Sequence, residues 1–145
     1  MIISLVGGGG KTATMFYIGN FFANMGKRVV ITTSTHIEKP EKFAEIKSAK
    51  ELENLFSKGE PVVVGTDEGK KLSSLELSEL ENFTKYADIV LVEADGAKKL
   101  PIKIPREDNE PVIPVSTDVC IVCMGIDAVG EALSEKCFRY ERALE

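Results

Sequence analysis

The sequence predicts an α/β fold, in which a mostly parallel sheet lies between two layers of helices. An apolar run, Ile2 to Val6, is followed by a helical pattern and then by the β-branched segment Arg28 to Thr33. Strand, helix and strand with short connections form a βαβ unit, which implies parallel strands and a right-handed crossover. The uninterrupted apolar run Ile89 to Val92 is typical of a strand that helices cover on both faces. A chain of 145 residues is expected to form one domain, residues 1–145.

Composition and charge argue against several classes of protein. Hydrophobic residues make up 43% of the chain and charged residues 28%, as in ordinary globular proteins. The net charge of -5 argues against a general nucleic-acid or membrane-surface binder, because such proteins present a basic face. No apolar run approaches the roughly 20 residues of a membrane span, and the N-terminus has no signal-peptide pattern. We therefore expect a cytoplasmic protein with no nucleic-acid partner and no membrane partner.

The first strand runs into four glycines, which are followed by a lysine and a threonine at the start of a helix. Glycines let successive backbone N–H groups converge on an anion, and the helix N-terminus adds a favourable dipole. The pattern predicts an ATP or GTP site in which Lys11 contacts the terminal phosphates and the Thr12 hydroxyl ligates Mg²⁺. Leu5 stands where the motif G-x-x-x-x-G-K-[ST] has its first glycine, so the alternative is a tight turn without a ligand. The candidate nucleotide-binding residues of the loop are Gly7, Gly8, Gly9, Gly10, Lys11, Thr12 and Ala13.

Acidic residues follow the apolar run at 89–92. Carboxylates at the carboxyl end of a buried strand are the usual partners of a nucleotide-bound metal ion. We expect Glu93 to contact Mg²⁺ together with Thr12, and Asp95 to orient a water or to hydrogen-bond within the turn. With Lys11, these carboxylates are the candidate catalytic residues. The alternative is a polar turn at Asp95-Gly96.

Two further segments are expected at the same edge of the sheet. The second strand runs into Thr33-Ser34-Thr35-His36, and ligands of open α/β sheets bind at the carboxyl ends of the strands. Thr35 and Lys98 are therefore candidate nucleotide contacts, whereas His36 is more typical of a surface residue. The alternatives are a polar exit turn for the hydroxyl cluster and an ordinary solvated lysine for Lys98.

Helices are assigned from periodicity and from capping patterns. The first helix carries an apolar stripe that predicts its buried face. Capping-box spacing predicts two later helices, one starting near Ser48 and one near Ser73. The stripe consists of Met15, Ile18, Phe22 and Met25; the boxes are Ser48-Ala49-Lys50-Glu51 and Ser73-Ser74-Leu75-Glu76, and the second of these helices carries Leu77, Leu80 and Phe83.

Prolines and charge patterns define the remaining segments. The run Pro61 to Val64 indicates a short edge strand, because proline cannot donate to a ladder. Four prolines between Pro101 and Pro114 predict irregular structure that crosses the ligand end of the sheet. The tail 132–145 is charged and is predicted to be helical.

Cys120-x-x-Cys123 has the spacing of a metal-ligand or redox pair. It lies in the apolar run Val119 to Met124, which we predict to be a buried strand, and alternation along a strand puts the two thiols on opposite faces. The chain has no second pair of cysteines, and its single histidine is distant in sequence. Buried small hydrophobic residues are therefore preferred to a metal or redox site.

Motifs spread over nearly the whole chain are similar to those of one family. The motifs are Val6-Gly7-Gly8-Gly9-Gly10-Lys11-Thr12, Thr32-Thr33-Ser34-Thr35-His36, Val92-Glu93-Ala94-Asp95-Gly96-Ala97-Lys98, Leu100-Pro101-Ile102-Lys103, Glu110-Pro111-Val112-Ile113-Pro114, Gly125-Ile126-Asp127-Ala128-Val129-Gly130 and Arg139. They resemble the YqeC-type proteins, which are regarded as accessory factors of selenium-dependent molybdenum hydroxylases.

The resemblance implies a P-loop NTPase-like fold, an ATP or GTP site with Mg²⁺, and a role in maturing a molybdenum hydroxylase. The hydroxylase or its maturation factors would then be partners of this chain. Members of the family usually continue well past Arg139, so the resemblance also implies a chain truncated at its C-terminus or a short variant.

Three functions fit these patterns. The leading prediction is a magnesium-dependent nucleoside-triphosphate binder and slow hydrolase, with the amides of Gly8 to Gly10 and Lys11 on phosphate. No residue is an obvious arginine finger, so fast turnover would need a partner or a second subunit, as in a homodimer. The alternatives are a small-molecule kinase, with Thr35, Asp95 or Lys98 at the acceptor, and a non-catalytic module that binds nucleotide or another anion. No N-K-x-D motif chooses between ATP and GTP.

Overall fold

A computed structural model of the chain describes residues 1–57, 59–74, 76–108 and 110–144. Within these ranges the α-helices are α1 (Lys11–Asn24), α2 (Leu77–Asn82) and α3 (Leu133–Lys136). Short 3₁₀ helices cover Ala49–Asn54, Phe83–Lys85, Ile126–Ala128 and Tyr140–Ala143. The strands are β1 (Ile2–Gly7), β2 (Val29–Thr33), β3 (His36–Glu38), β4 (Val62–Val63), β5 (Thr66–Asp67), β6 (Lys71–Ser73), β7 (Ile89–Glu93), β8 (Ile102–Lys103), β9 (Val119–Cys123) and β10 (Cys137–Phe138).

A five-stranded sheet with the order β4-β2-β7-β1-β9 forms the centre of the fold. All four neighbouring pairs in this sheet are parallel. The predicted α/β fold with a mostly parallel sheet is therefore confirmed. Because β7 lies between β1 and β2, the βαβ unit around α1 passes over one strand. The carboxyl ends of β1, β2, β7 and β9 share one edge, which collects Gly7, Thr33, Glu93 and Cys123.

Helical segments cover both faces of the sheet. On one face, Met15 and Ala23 of α1 pack against residues such as Leu91 of β7. On the other face, Leu52 and Phe83, which belong to the first two 3₁₀ helices, pack against residues of β2 and β7 such as Val30 and Val90. Successive side chains of a strand point to opposite faces, so β7 needs an apolar residue at every position before Glu93. The uninterrupted apolar run at 89–92 has this origin.

The first helix confirms most of its predicted stripe. Met15 is fully buried, and Ile18 and Phe22 pack against the same core. Met25 is 62% exposed, so its assignment to the buried face is wrong. The helix ends at Asn24, and Gly26 then turns the chain with a φ of +81°. Met25 therefore lies past the last helical residue.

The capping boxes are only partly realised. The first segment is a 3₁₀ helix, and Glu51 accepts the N–H of Lys47 rather than that of Ser48. Ser73 belongs to β6 and α2 begins at Leu77, so the second box is wrong as a start signal. Leu75 of that box and the Leu77 side chain lie outside the described part of the chain. Leu80 and Phe83 are buried as predicted, and β4 is an edge strand as predicted.

The strand β9 differs from its prediction. It is an edge of the main sheet, and Val122 is 75% exposed, so the prediction of a buried strand is wrong. The two thiols do point to opposite faces: Cys123 packs against the core under α1, whereas Cys120 is exposed. An apolar run can form either a central or an edge strand, and only the strand order separates the two cases.

The C-terminal segment is not one helix. After α3 the chain forms β10, which pairs in parallel with β8, and a 3₁₀ helix follows. Arg139, between the last two elements, has a φ of +65°, which a continuous helix does not allow. Glu145 lies outside the described residues. No helix in the described ranges is long and apolar enough to cross a bilayer.

We predict that valines on β7 and β9 differ sharply in their contribution to stability. Val92→Ala removes two carbons from a fully buried site on β7 and should lower the free energy of unfolding by about 2 kcal/mol. Val122→Ala, the matched control on β9, should change it by less than about 0.5 kcal/mol because the side chain is 75% exposed. Urea unfolding measures both values, and equal losses would contradict the edge position of β9.

Candidate functional site

The glycine loop lies between β1 and α1 and is held by two other segments. The N–H of Gly8 donates to the carbonyl of Cys123 at 2.9 Å, and the N–H of Gly9 donates to the carbonyl of Pro101 at 3.0 Å. A Cβ on Gly8 would lie 2.1 Å from the Pro101 oxygen, and Gly7 has a φ of +97°. Both positions therefore require glycine. The proline-containing segment crosses the ligand end of the sheet, as predicted.

These contacts change the set of backbone donors available to a phosphate. The N–H groups of Gly8 and Gly9 point to protein carbonyls, so they do not face the cleft as the sequence led us to expect. The first helical hydrogen bond runs from the Thr14 N–H to the Gly10 carbonyl at 2.8 Å. The N–H groups of Lys11 to Ala13 precede that bond, and helix N–H groups at such positions have no intrahelical partner. The anion-facing donors are therefore those of the first turn of α1.

Lys11 folds back over the glycine loop. Its Nζ donates to the Gly7 carbonyl at 2.7 Å, and it lies 3.2 Å from Asp95 Oδ1 and 4.0 Å from Glu93 Oε1. The residue is 5% exposed. The ammonium is therefore buried between two carboxylates at the base of the loop.

Thr12 and Glu93 meet at the position where the sequence predicts a metal ion. The Thr12 hydroxyl donates to Glu93 Oε2 at 2.8 Å. Burial raises the pKa of Glu93, while the bond from Thr12 and the charge of Lys11 act in the opposite direction. A hydroxyl and a carboxylate are hard oxygen ligands that suit Mg²⁺, which takes its remaining positions from phosphates and water. In the described ranges no three His, Cys, Asp or Glu side chains lie close enough together to hold a metal ion.

Asp95 contacts the glycine loop and two lysines. Its Oδ2 accepts the N–H of Gly7 at 3.0 Å and lies 3.2 Å from Lys103 Nζ. Its other oxygen contacts Lys11. The residue is buried and is not among the described residues that line the cleft. The hydrogen bond that the structure shows is therefore made to the glycine loop and not within the turn at Asp95-Gly96.

A cleft of about 460 Å³ opens over the first turn of α1. This volume lies within the range of small-molecule sites. The near wall is formed by Gly8 to Ala13 together with Glu93, and the far wall by 36–38, Lys71 and 96–100. The predicted residue Lys98 belongs to the far wall, where its ammonium lies 4.8 Å from the ring centroid of Phe138.

The hydroxyl cluster after β2 is mainly a structural tie. The Thr33 hydroxyl donates to the carbonyl of Glu93 at 2.9 Å, and the Ser34 hydroxyl donates to the carbonyl of Val112. The Thr35 N–H bonds to the Thr33 hydroxyl at 2.9 Å, and Thr35 is not among the described lining residues of the cleft. His36, in contrast, does line the cleft, 3.3 Å from Glu68.

Three charged side chains behind Asp95 extend the site away from the cleft. Lys103 Nζ lies 2.9 Å from Glu110 Oε2, and its side chain is fully buried. The same Glu110 oxygen accepts a hydrogen bond from Arg139. This bond, with the contact to Lys103, lowers the pKa of Glu110 to about 2.

Comparison with known proteins places these residues in a family. The model of the YqeC protein family matches residues 3–141. The chain belongs to the YqeC family. It is 31% identical to "Uncharacterized protein YqeC" of Escherichia coli (strain K12), over 92% of this chain and 55% of the relative. The chain therefore spans about half the length of that relative. No solved structure is significantly similar to it.

Sequence reasoning gave Lys103, Glu110 and Arg139 no role. All three lie within the segments that resemble YqeC proteins, which was the available signal. Lys103 and Glu110 are 7 residues apart in the chain and Glu110 and Arg139 are 29 apart, so the sequence gave no indication that they are in contact. The pairing of β8 with β10 brings Arg139 next to the segment that carries Lys103.

We predict that Glu110 stabilises this YqeC protein in a pH-dependent way. The pKa of Glu110 falls from 4.5 to about 2 in the folded chain, so its stabilisation is present at neutral pH and is lost as the pH drops through that interval. Glu110→Gln should lower the free energy of unfolding at pH 7 by about 3 kcal/mol. Its difference from the wild type should shrink toward pH 2.

Urea unfolding between pH 7 and pH 2 measures this difference. Glu60→Gln is the matched control, because Glu60 is exposed and its one ion-pair contact among the described residues, at 3.8 Å, is with the exposed Lys42. That variant should stay within about 0.5 kcal/mol of the wild type. A constant, pH-independent loss in Glu110→Gln would argue against the ion-pair contribution.

Proposed function

We propose that this chain binds a nucleoside triphosphate with Mg²⁺ and hydrolyses it slowly, on a P-loop NTPase-like fold. The single observation that carries the proposal is the contact of Thr12 with Glu93 beside Lys11 at the N-terminus of α1. A hydroxyl, a carboxylate and an ammonium within one turn of a helix start combine the groups that a magnesium–phosphate complex needs. The cleft above them is large enough for a small-molecule ligand.

The proposed mechanism is positioning and charge neutralisation. The N–H groups of Lys11 to Ala13 bind phosphate oxygens, and the Lys11 ammonium moves from the carboxylates to the terminal phosphates. Thr12 and Glu93 would hold Mg²⁺, which would neutralise charge on the phosphates. Among the described residues that line the cleft there is no arginine. Hydrolysis without a partner is therefore expected to be slow.

The cellular role that we propose is assistance in maturing a selenium-dependent molybdenum hydroxylase. The support for this role is the family resemblance, and the hydroxylase or its maturation factors are the corresponding partners.

The far wall of the cleft favours one second candidate, a small-molecule kinase. Lys71, Lys98 and Lys99 line this wall together with His36 and with Glu38, which pairs with Lys99 at 2.6 Å. Such a wall would suit an anionic acceptor opposite the phosphates. A kinase would show rapid nucleotide turnover only when its acceptor is present. A slow hydrolase would show the same low turnover rate with and without an acceptor.

We predict that nucleotide binding depends on Lys11 and that its magnesium dependence depends on Glu93. Titration calorimetry with ATP and with GTP, with and without Mg²⁺, tests both. Lys11→Ala should weaken binding by about 10- to 100-fold, because a charge-assisted contact to phosphate is lost. Glu93→Gln should lose only the part of the affinity that Mg²⁺ adds, because the amide cannot replace a carboxylate ligand.

Exposed residues provide the controls for this experiment. Lys27→Ala and Glu131→Gln should bind as the wild type does, because both side chains lie outside the cleft. A wild type that binds neither nucleotide would refute the proposal. Tight binding with the same affinity in the presence and absence of Mg²⁺, in every variant, would instead indicate a non-catalytic anion-binding module.

A further inference from the structure

Six charged side chains form a chain of alternating sign from the cleft to the C-terminal segment. In order they are Glu93, Lys11, Asp95, Lys103, Glu110 and Arg139. Each neighbouring pair is within ion-pair distance, from 4.0 Å at the Glu93 end to the hydrogen bond between Glu110 and Arg139. Three positive and three negative groups balance, which a set of largely buried charges requires.

Phosphate binding must break this balance at Lys11. The ammonium is held by Asp95 at 3.2 Å and by the Gly7 carbonyl at 2.7 Å, so it has to leave both in order to reach a phosphate. Asp95 has a side chain that is only 3% exposed, and water cannot take over the lost contact easily. Removing one partner from a buried ion pair strongly penalises the charge that remains. Asp95 therefore needs a second cation if Lys11 is to move.

We infer that Lys103 is this second cation: a positioning residue that holds Asp95 and thereby releases Lys11 to the phosphates of the ligand. The inference rests on the proposed nucleotide site and adds a residue that controls whether Lys11 is free to contact the phosphates. Lys103 contacts the Asp95 oxygen that Lys11 does not use, at 3.2 Å. Its own charge stays balanced by Glu110 when Lys11 leaves, and Arg139 balances Glu110 in turn.

The contact geometry supports an exchange rather than a fixed contact. Neither Asp95 Oδ1 nor Lys103 Nζ has a hydrogen-bond partner of good geometry among the described residues. Lys11 is therefore attracted to Asp95 by charge without a well-directed hydrogen bond, and the hydrogen bonds that it must break on leaving are those to the carbonyls of Gly7 and Gly8. The other Asp95 oxygen keeps the Gly7 N–H throughout, so the loop retains its shape.

The test is a double-mutant cycle between Lys103 and Asp95, measured as affinity for ATP by calorimetry. Lys103→Met should weaken binding by about 10- to 100-fold, because Asp95 then retains Lys11 as its sole cation. Adding Asp95→Asn should restore the affinity to that of Asp95→Asn alone, because no carboxylate remains to retain Lys11. The ratio of affinities with and without Mg²⁺ should stay unchanged in Lys103→Met, because Thr12 and Glu93 are untouched.

Controls separate this effect from damage to the fold and from failure of the site. Lys42→Met changes an exposed lysine and should bind as the wild type does. Circular dichroism confirms that each variant is folded at the temperature of the titration; if Lys103→Met is not, Lys103→Gln takes its place in the cycle. Wild-type affinity in the folded Lys103 variant, or a double variant as weak as the Lys103 variant alone, would overturn the inference and leave the nucleotide site intact. Absence of binding by the wild type would overturn both.

Discussion

The ammonium of Lys11, buried between Asp95 and Glu93, is the constraint on which the site depends. A buried cation needs carboxylates to balance its charge, and buried carboxylates need further cations. Lys103, Glu110 and Arg139 supply these further charges. The C-terminal segment is thereby tied to the first loop of the chain. The same ion pairs connect the glycine loop to the segment where β8 pairs with β10, and they lower the pKa of Glu110.

The sheet determines which residues can join this arrangement. Parallel strands end at one edge, so the glycine loop after β1 and Glu93 at the end of β7 become neighbours although they are about 80 positions apart in the chain. Backbone contacts then seal the loop, with carbonyls of Cys123 and Pro101 accepting from Gly8 and Gly9. These contacts move the anion-facing donors to the first turn of α1, where the helix dipole also acts.

Much of the fold was predictable because its signals are local. The glycine loop, the stripe of α1 and the apolar run of β7 each encode their environment within a few residues. Thr12 and Glu93 were both predicted at one metal position, and the structure brings them into contact because β1 and β7 are neighbours. Two of the failures share one cause. The exposed β9 and the tail broken by β10 depend on strand order and on pairing with distant segments, which local patterns do not contain.

The sequence by itself determined an α/β domain with a glycine loop, a lysine and a carboxylate at one edge of a parallel sheet. Periodicity and turn chemistry are properties of residues that are close in the chain, so they can be recognised in the sequence without knowledge of tertiary contacts. Tertiary structure alone decided that Lys11 folds back onto the loop, that Asp95 accepts the N–H of Gly7, and that Lys103, Glu110 and Arg139 follow Asp95 in a chain of ion pairs. Coulomb attraction acts through space and not along the chain, so charge partners become visible only when the fold has brought them together.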